Sequence, residues 1–110
     1  MPIMTGSRFF AEALRGYGVT HVFFVPAILP DAMAAMDDTG VTRILTHGET
    51  AAGYMADGYA RASGKPGVCL AQAVGSANLA AGIRDAYLAS SPVIAISGGP
   101  HPDSRYRYLY

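Results

Sequence analysis

Tryptophan is absent from these 110 residues, cysteine occurs once, and neither sign of charge is in excess, with eight Lys and Arg against eight Asp and Glu. A lone cysteine excludes an intrachain disulfide. Cys69 lies in the apolar run Gly67-Val68-Cys69-Leu70-Ala71, where a buried, inert thiol is expected rather than a nucleophile. Balanced charge, with Arg105 and Arg107 as the basic cluster of the tail, offers nucleic acid no surface. No apolar stretch is long enough to span a bilayer, and no charged start leads into an apolar run. The expectation is a cytoplasmic protein without a membrane or nucleic-acid partner. His21, His47 and His101 stand singly, so no metal ligands are expected. The dinucleotide fingerprint, the phosphate-binding Gly-Lys-Ser/Thr and the Gly-x-Ser-x-Gly elbow are all missing.

What is present is a globular composition, about half apolar and 15% charged, in a chain long enough for one small core. Thr5 or Ser7 opens a helix to about Tyr17, with Phe9, Phe10, Ala13, Leu14 and Tyr17 at helical spacing. Thr20 to Val25 is β-branched and aromatic, hence a strand, apolar on both faces at its centre. Pro26 stops it. Pro30 suits the first turn of a short helix ending near Asp38. Val41 to Thr46 predicts a second strand. A helix from Glu49 should stop near Ser63-Gly64, where Lys65-Pro66 blocks its continuation. Gly67 to Gln72 is a third strand, Gly75 or Ser76 to about Ala89 a helix with Leu79, Ile83, Ala86 and Tyr87 on one face, and Pro92 to Ser97 a fourth strand.

Helix and strand therefore alternate four times. That pattern predicts an α/β fold, an open, mainly parallel sheet with helices on both faces. Residues 1–98 should form the domain and 99–110 a tail that continues into further sequence or packs on a partner. Val22, Phe24, Ile44, Val68, Leu70, Val93, Ile94 and Ile96 should be its least exposed strand residues.

The stretch Thr46-His47-Gly48-Glu49 offers two readings. Thr46 as N-cap with Glu49 three residues on would form a capping box, the carboxylate also complementing the helix dipole. Alternatively, Glu49 is a functional carboxylate at a strand-to-helix junction, where open α/β sheets bind ligands. Gly53, Ala56 and Ala60 make a small-residue stripe, for core packing or for a contact between subunits. Gln72 and Asn78 invite either local backbone partners or a ligand. The turn Ser97-Gly98-Gly99 reads as a plain strand exit or an anion-binding nest.

Glu49 followed by Ala51-Ala52 and then by Ala56-Asp57-Gly58-Tyr59-Ala60-Arg61-Ala62-Ser63-Gly64-Lys65-Pro66-Gly67 resembles thiamine-diphosphate-dependent enzymes of the acetolactate synthase type, in their N-terminal, pyrimidine-binding domain. Gly18-Val19-Thr20-His21-Val22-Phe23, Asn78-Leu79, Gly82-Ile83, Asp85-Ala86-Tyr87 and Ser91-Pro92-Val93-Ile94 extend the resemblance over nearly the whole chain to Gly98. It implies that Glu49 hydrogen-bonds N1′ of the cofactor's aminopyrimidine. That contact favours the imino tautomer at the 4′ nitrogen, which takes the proton from the thiazolium C2. Pro26, Ala27, Gln72 and Asn78 are the implied lining of the cofactor site.

The same resemblance implies thiamine diphosphate with Mg2+ and a 2-oxo acid such as pyruvate as substrate of a lyase or carboligase. No Gly-Asp-Gly motif is present, so the diphosphate and metal ligands are expected on another domain or subunit, in a homo-oligomer. A non-catalytic remnant of the fold and a flavodoxin-like binding module are the rival readings. The chain departs from the pattern at Gly48, where histidine is usual, and in the loops 25–30 and 72–78. Those loops are the ones expected to face the reacting centre.

Overall fold

The computed structural model describes residues 3–26, 28–99 and 103. Ala27, Pro100, His101 and the tail from Ser104 to Tyr110 lie outside the described residues. The eight expected elements are present in the expected order: α1 (Gly6–Gly16), β1 (His21–Phe24), α2 (Pro30–Ala35), β2 (Thr42–Leu45), α3 (Glu49–Ser63), β3 (Gly67–Ala71), α4 (Ser76–Leu88) and β4 (Val93–Ser97). Thr5 caps α1, its side chain accepting from the Arg8 amide at 3.2 Å. Gly64 ends α3 in the left-handed region at φ 68°, a conformation that costs glycine little because it lacks a Cβ.

All strand pairs are parallel, in the order β2-β1-β3-β4. Side chains of a strand alternate between faces, and the two central strands supply two cores. Val22, Val68 and Leu70 pack with Ala11, Leu14, Ile28, Met33 and Met36, under α1 and α2. Phe23, Cys69 and Ala71 pack with Ala52, Ala56 and Leu79, under α3 and α4. Helices thus cover both faces, and all five residues of β3 are buried. Burial pushes the Cys69 thiol up to about 11, in keeping with an inert role.

The expected strand core holds only in part. Val22, Val68 and Leu70 are fully buried, whereas Phe24, Ile44, Val93 and Ile96 are half-buried and Ile94 is 46% exposed. The reason is the strand order. β2 and β4 are edges, and Ile94, beside Val68 in register, lies on the face that α1 and α2 leave open there. The predicted apolar face of α1 is also corrected, since Phe9 is 65% and Tyr17 88% exposed. Ala11 and Leu14 with half-buried Phe10 carry the contact, a narrower stripe than the apolar residues alone suggest. On α4 the buried set is Leu79, Gly82 and Ala86, and Tyr87 faces out.

The chain moves from β1 outward to β2, then crosses back to β3 on the other side of β1. This reversal makes the carboxyl ends of β1 and β3 the switch point at which open α/β sheets form a crevice.

Candidate functional site

Glu49 is the first residue of α3, reached directly from the end of β2. The capping box is not formed. Gly48 is the N-cap, in extended conformation, and no side chain caps the helix. Glu49 is therefore at the first helical position, and only a carboxylate at the third reaches back to the N-cap amide. Thr46 is used elsewhere. Its hydroxyl donates to the carbonyls of Phe24 (3.2 Å) and Gly48 (3.0 Å), and its amide donates to Phe24 O at 2.8 Å. The β2 exit is thereby tied to the end of β1.

Freed from the box, the half-buried Glu49 side chain crosses to the start of α4. Its Oε2 accepts from Asn78 Nδ2 at 3.3 Å. Its Oε1 lies over Gly75, the N-cap of α4, where an added Cβ would come within 2.4 Å of it. Next along α3, Thr50 Oγ1 donates to the carbonyl of Asn78 at 2.9 Å. The two helices then run against each other backbone to backbone. A Cβ at Gly82 would fall 2.3 Å from Thr50 O, and one at Gly53 2.8 Å from the carbonyl carbon of Gly82. The small-residue stripe therefore serves packing inside this chain: Gly53 against α4, with Ala56 and Ala60 also buried.

Of the residues expected at the site, the structure joins Glu49 to Asn78 and sets half-buried Gln72 at the head of the turn that ends at Gly75. Ser76 donates its amide to Gln72 O at 3.0 Å, closing that turn. Beside Gln72 stand Ile28, buried in the β1 exit, and Gly98, whose added Cβ would lie 3.5 Å from Ile28 Cδ1 and 3.8 Å from the Gln72 Cα. Pro26 is exposed in the same β1 exit, and Ala27 lies outside the described residues. Leu29, closing this loop, adopts φ 43°, ψ 56°, a left-handed conformation that costs a branched side chain about 1–2 kcal/mol. Strain of this kind collects at ligand-facing loops.

Gly75, Thr50 and Gly82 were not singled out from sequence as parts of the site. One signal was available: glycine inside a helix costs about 1 kcal/mol against alanine, so a helical glycine has a packing reason.

The most recognisable run of the sequence sits at the other end of α3. Asp57 Oδ1 accepts from Arg61 Nε at 2.9 Å. The Arg61 guanidinium and then the Ser91 hydroxyl hold the Asp57 carboxyl below the usual carboxylate range. The Tyr59 hydroxyl shares a 2.5 Å hydrogen bond with Thr20 Oγ1, which also meets His21 Nδ1 at 2.9 Å. The His21 and Tyr59 rings lie 5.1 Å apart. These contacts fasten α3 to the start of β1 and to the loop before β4.

A carboxylate at the switch point, flanked by an amide and a Cβ-less backbone, suits a flat heteroaromatic ring with a nitrogen to share a proton. Among the described residues no group of three or more His, Cys, Asp and Glu could hold a metal ion. No helix among them is long and apolar enough to cross a membrane.

Comparison with known proteins bears on which ring that is. Residues 4–109 match the family model of the thiamine pyrophosphate enzyme N-terminal TPP binding domain. The chain is 46% identical over 98 residues to the acetolactate synthase isozyme 2 large subunit of Escherichia coli, covering 86% of this chain and 18% of that protein. A proposed 2-ketoarginine decarboxylase of Pseudomonas aeruginosa is 39% identical over 103 residues, covering 92% and 18%. The solved structure of a proposed thiamin diphosphate-dependent enzyme from Mycobacterium smegmatis superposes with a TM-score of 0.83 at 27% identity, covering 98% of this chain and 21% of that one. The chain thus spans about a fifth of the length of these relatives.

Proposed function

The chain belongs to the thiamine pyrophosphate enzymes, through their N-terminal TPP binding domain, and on that premise we propose that it binds the aminopyrimidine of thiamine diphosphate and sets its protonation through Glu49. The enzyme is a lyase or carboligase acting on a 2-oxo acid such as pyruvate. When bound, the cofactor supplies a carbon nucleophile and an electron sink.

The observation that carries this reading is the release of Glu49 from helix capping. Its carboxyl is turned towards α4 at the sheet's switch point, with Oε1 over Gly75. Glu49 holds or shares a proton at the ring nitrogen. Gln72 and Ile28, with Pro26 in the β1 exit, border the ring and exclude water from its face; Ala27, expected with them, lies outside the described residues. Asn78 borders it from α4. The Thr50 and Gly82 contacts keep both helix starts at a fixed separation.

The diphosphate and Mg2+ are held by a further domain or by another subunit of a homo-oligomer, in the cytoplasm. Residues 1–98 form the pyrimidine-binding unit. The substrate-facing side is set by loops 25–30 and 72–78.

The test is exchange of the cofactor's C2 proton in the assembled enzyme. Glu49→Gln lowers the exchange rate by about 10²–10⁴-fold with the far-ultraviolet circular dichroism spectrum unchanged, because no cap is lost. Exchange at the parental rate in Glu49→Gln would refute the role.

A further inference from the structure

We infer that Asn78 is the positioning residue for Glu49: its side-chain amide fixes Oε2, so that Oε1, over the Cβ-less Gly75, is the oxygen presented to the ring nitrogen. The inference rests on the reading of Glu49 proposed above and adds which oxygen acts and what holds the other.

A glutamate side chain has three rotatable bonds, and at the first position of a helix no capping contact restrains it. Something outside α3 must choose its rotamer. The contacts that do so come from α4. Asn78 Nδ2 donates to Oε2 at 3.3 Å, and the Gly75 backbone closes against Oε1 and the carboxyl carbon.

Asn78 is itself held from α3, since the hydroxyl of Thr50, the neighbour of Glu49, donates to its carbonyl. The pair is thus reciprocal: one α3 residue fixes the backbone of Asn78, and Asn78 fixes the side chain of the adjacent α3 residue. An amide suits this post better than a charged group. It donates to a carboxylate and, turned over, accepts from a protonated carboxyl, so it holds Glu49 in either protonation state. Only Oε2 takes a hydrogen bond from the chain, and Oε1, packed on Gly75, keeps its lone pairs for the ligand.

Asn78→Asp separates this role from plain helix support. The two side chains have the same shape, and a carboxylate in the first turn of α4 is favoured by the helix dipole. As helix support alone, Asn78 would therefore tolerate aspartate. As a positioning residue it does not, because two carboxylates then face each other and Oε2 loses its donor.

In the full 110-residue chain without cofactor, the side-chain amide resonances of 15N-labelled Asn78 should shift in Glu49→Ala. In the assembled enzyme saturated with cofactor, Asn78→Asp should keep the thermal midpoint yet lose about tenfold or more in C2 proton exchange. Asn78→Ala should lose less, having no repulsion, and Asn78→Gln should recover part of the rate. Parental exchange in Asn78→Asp, or an Asn78 amide indifferent to Glu49→Ala, overturns the inference. Glu49→Gln measured alongside tells the two failures apart. If it keeps the parental rate, the reading of Glu49 falls; if it collapses while Asn78→Asp does not, only the positioning role falls.

Discussion

Glu49 and Asp57 stand on one helix, about two turns apart, and the same fold treats the two carboxylates differently. Asp57 is 7% exposed, paired with Arg61 at 2.9 Å and held by Ser91 as well. Glu49 is half-buried and meets a single amide at 3.3 Å. At the Asp57 end the polar groups are spent on joining α3 to β1 and to the loop before β4. At the Glu49 end the helices are joined mainly by glycine backbones and one threonine hydroxyl, and the carboxylate keeps one oxygen out of hydrogen bonds. The run that makes the family recognisable, Ala56 to Arg61, is thus mainly a fastening, and the residue with chemical work lies outside it.

The difference between the ends can be broken most severely at Gly82. A Cβ there would lie 2.3 Å from Thr50 O, backbone against backbone, so α3 and α4 must separate. Gly82→Ala should cost about 3 kcal/mol or more in urea unfolding and move the Asn78 side-chain amide resonances. Loss of stability without that movement would mean that the helix starts are not held by this contact.

A smaller effect is expected at the fastening. Asp57→Asn should lower the thermal midpoint by a few degrees and leave the Asn78 resonances in place. Its pH dependence follows from the lowered native value. Asp57 contributes fully above the unfolded carboxylate value of about 3.9, and the contribution fades as pH falls through the lower native value. The gap between parent and Asp57→Asn should therefore be constant from neutral pH down to about 5 and close in stronger acid. A gap that widened on acidification would reverse the assignment.

The smallest effect belongs to Tyr59→Phe, which removes one hydrogen bond to Thr20 while keeping the ring packed near His21 and Phe23. About 1 kcal/mol is expected, with C2 proton exchange in the assembled enzyme unaltered.

Much of this architecture is legible in the residues. The alternation of apolar strands with glycine- and proline-bounded helices predicts the parallel α/β sheet, and the left-handed stop at Gly64 is where it was expected. Glu49 at a strand-to-helix junction is visible as well. The choice between its two readings is not, because a capping box is a matter of a residue or two of helix register. Thr46 was drawn into the β1–β2 junction, and the N-cap fell at Gly48, two residues later than the box requires. Periodicity could not reveal that β4 is an edge, and so it overstated the burial of Ile94. Strand order is set by crossovers that no local pattern encodes. Nor could it distinguish Phe9 from Ala11 as the inward residue of α1: the buried face runs through Phe10, Ala11 and Leu14, one residue of rotation away from the face of Phe9, Ala13 and Tyr17.

Cys69 gives the chain a clock. The sulfur sits on the fully buried central strand, with a thiol pushed up to about 11, so a thiol reagent at neutral pH meets almost no reactive thiolate while β3 is in place. Modification must wait for the strand to come away from its neighbours. The labelling rate then counts sub-global openings of the sheet centre, at a single sulfur and without an engineered probe. Openings confined to the loops around Glu49 go unrecorded. A ligand that reduces loop motion alone would leave the labelling rate as it was, whereas one that ties the whole domain together would slow it.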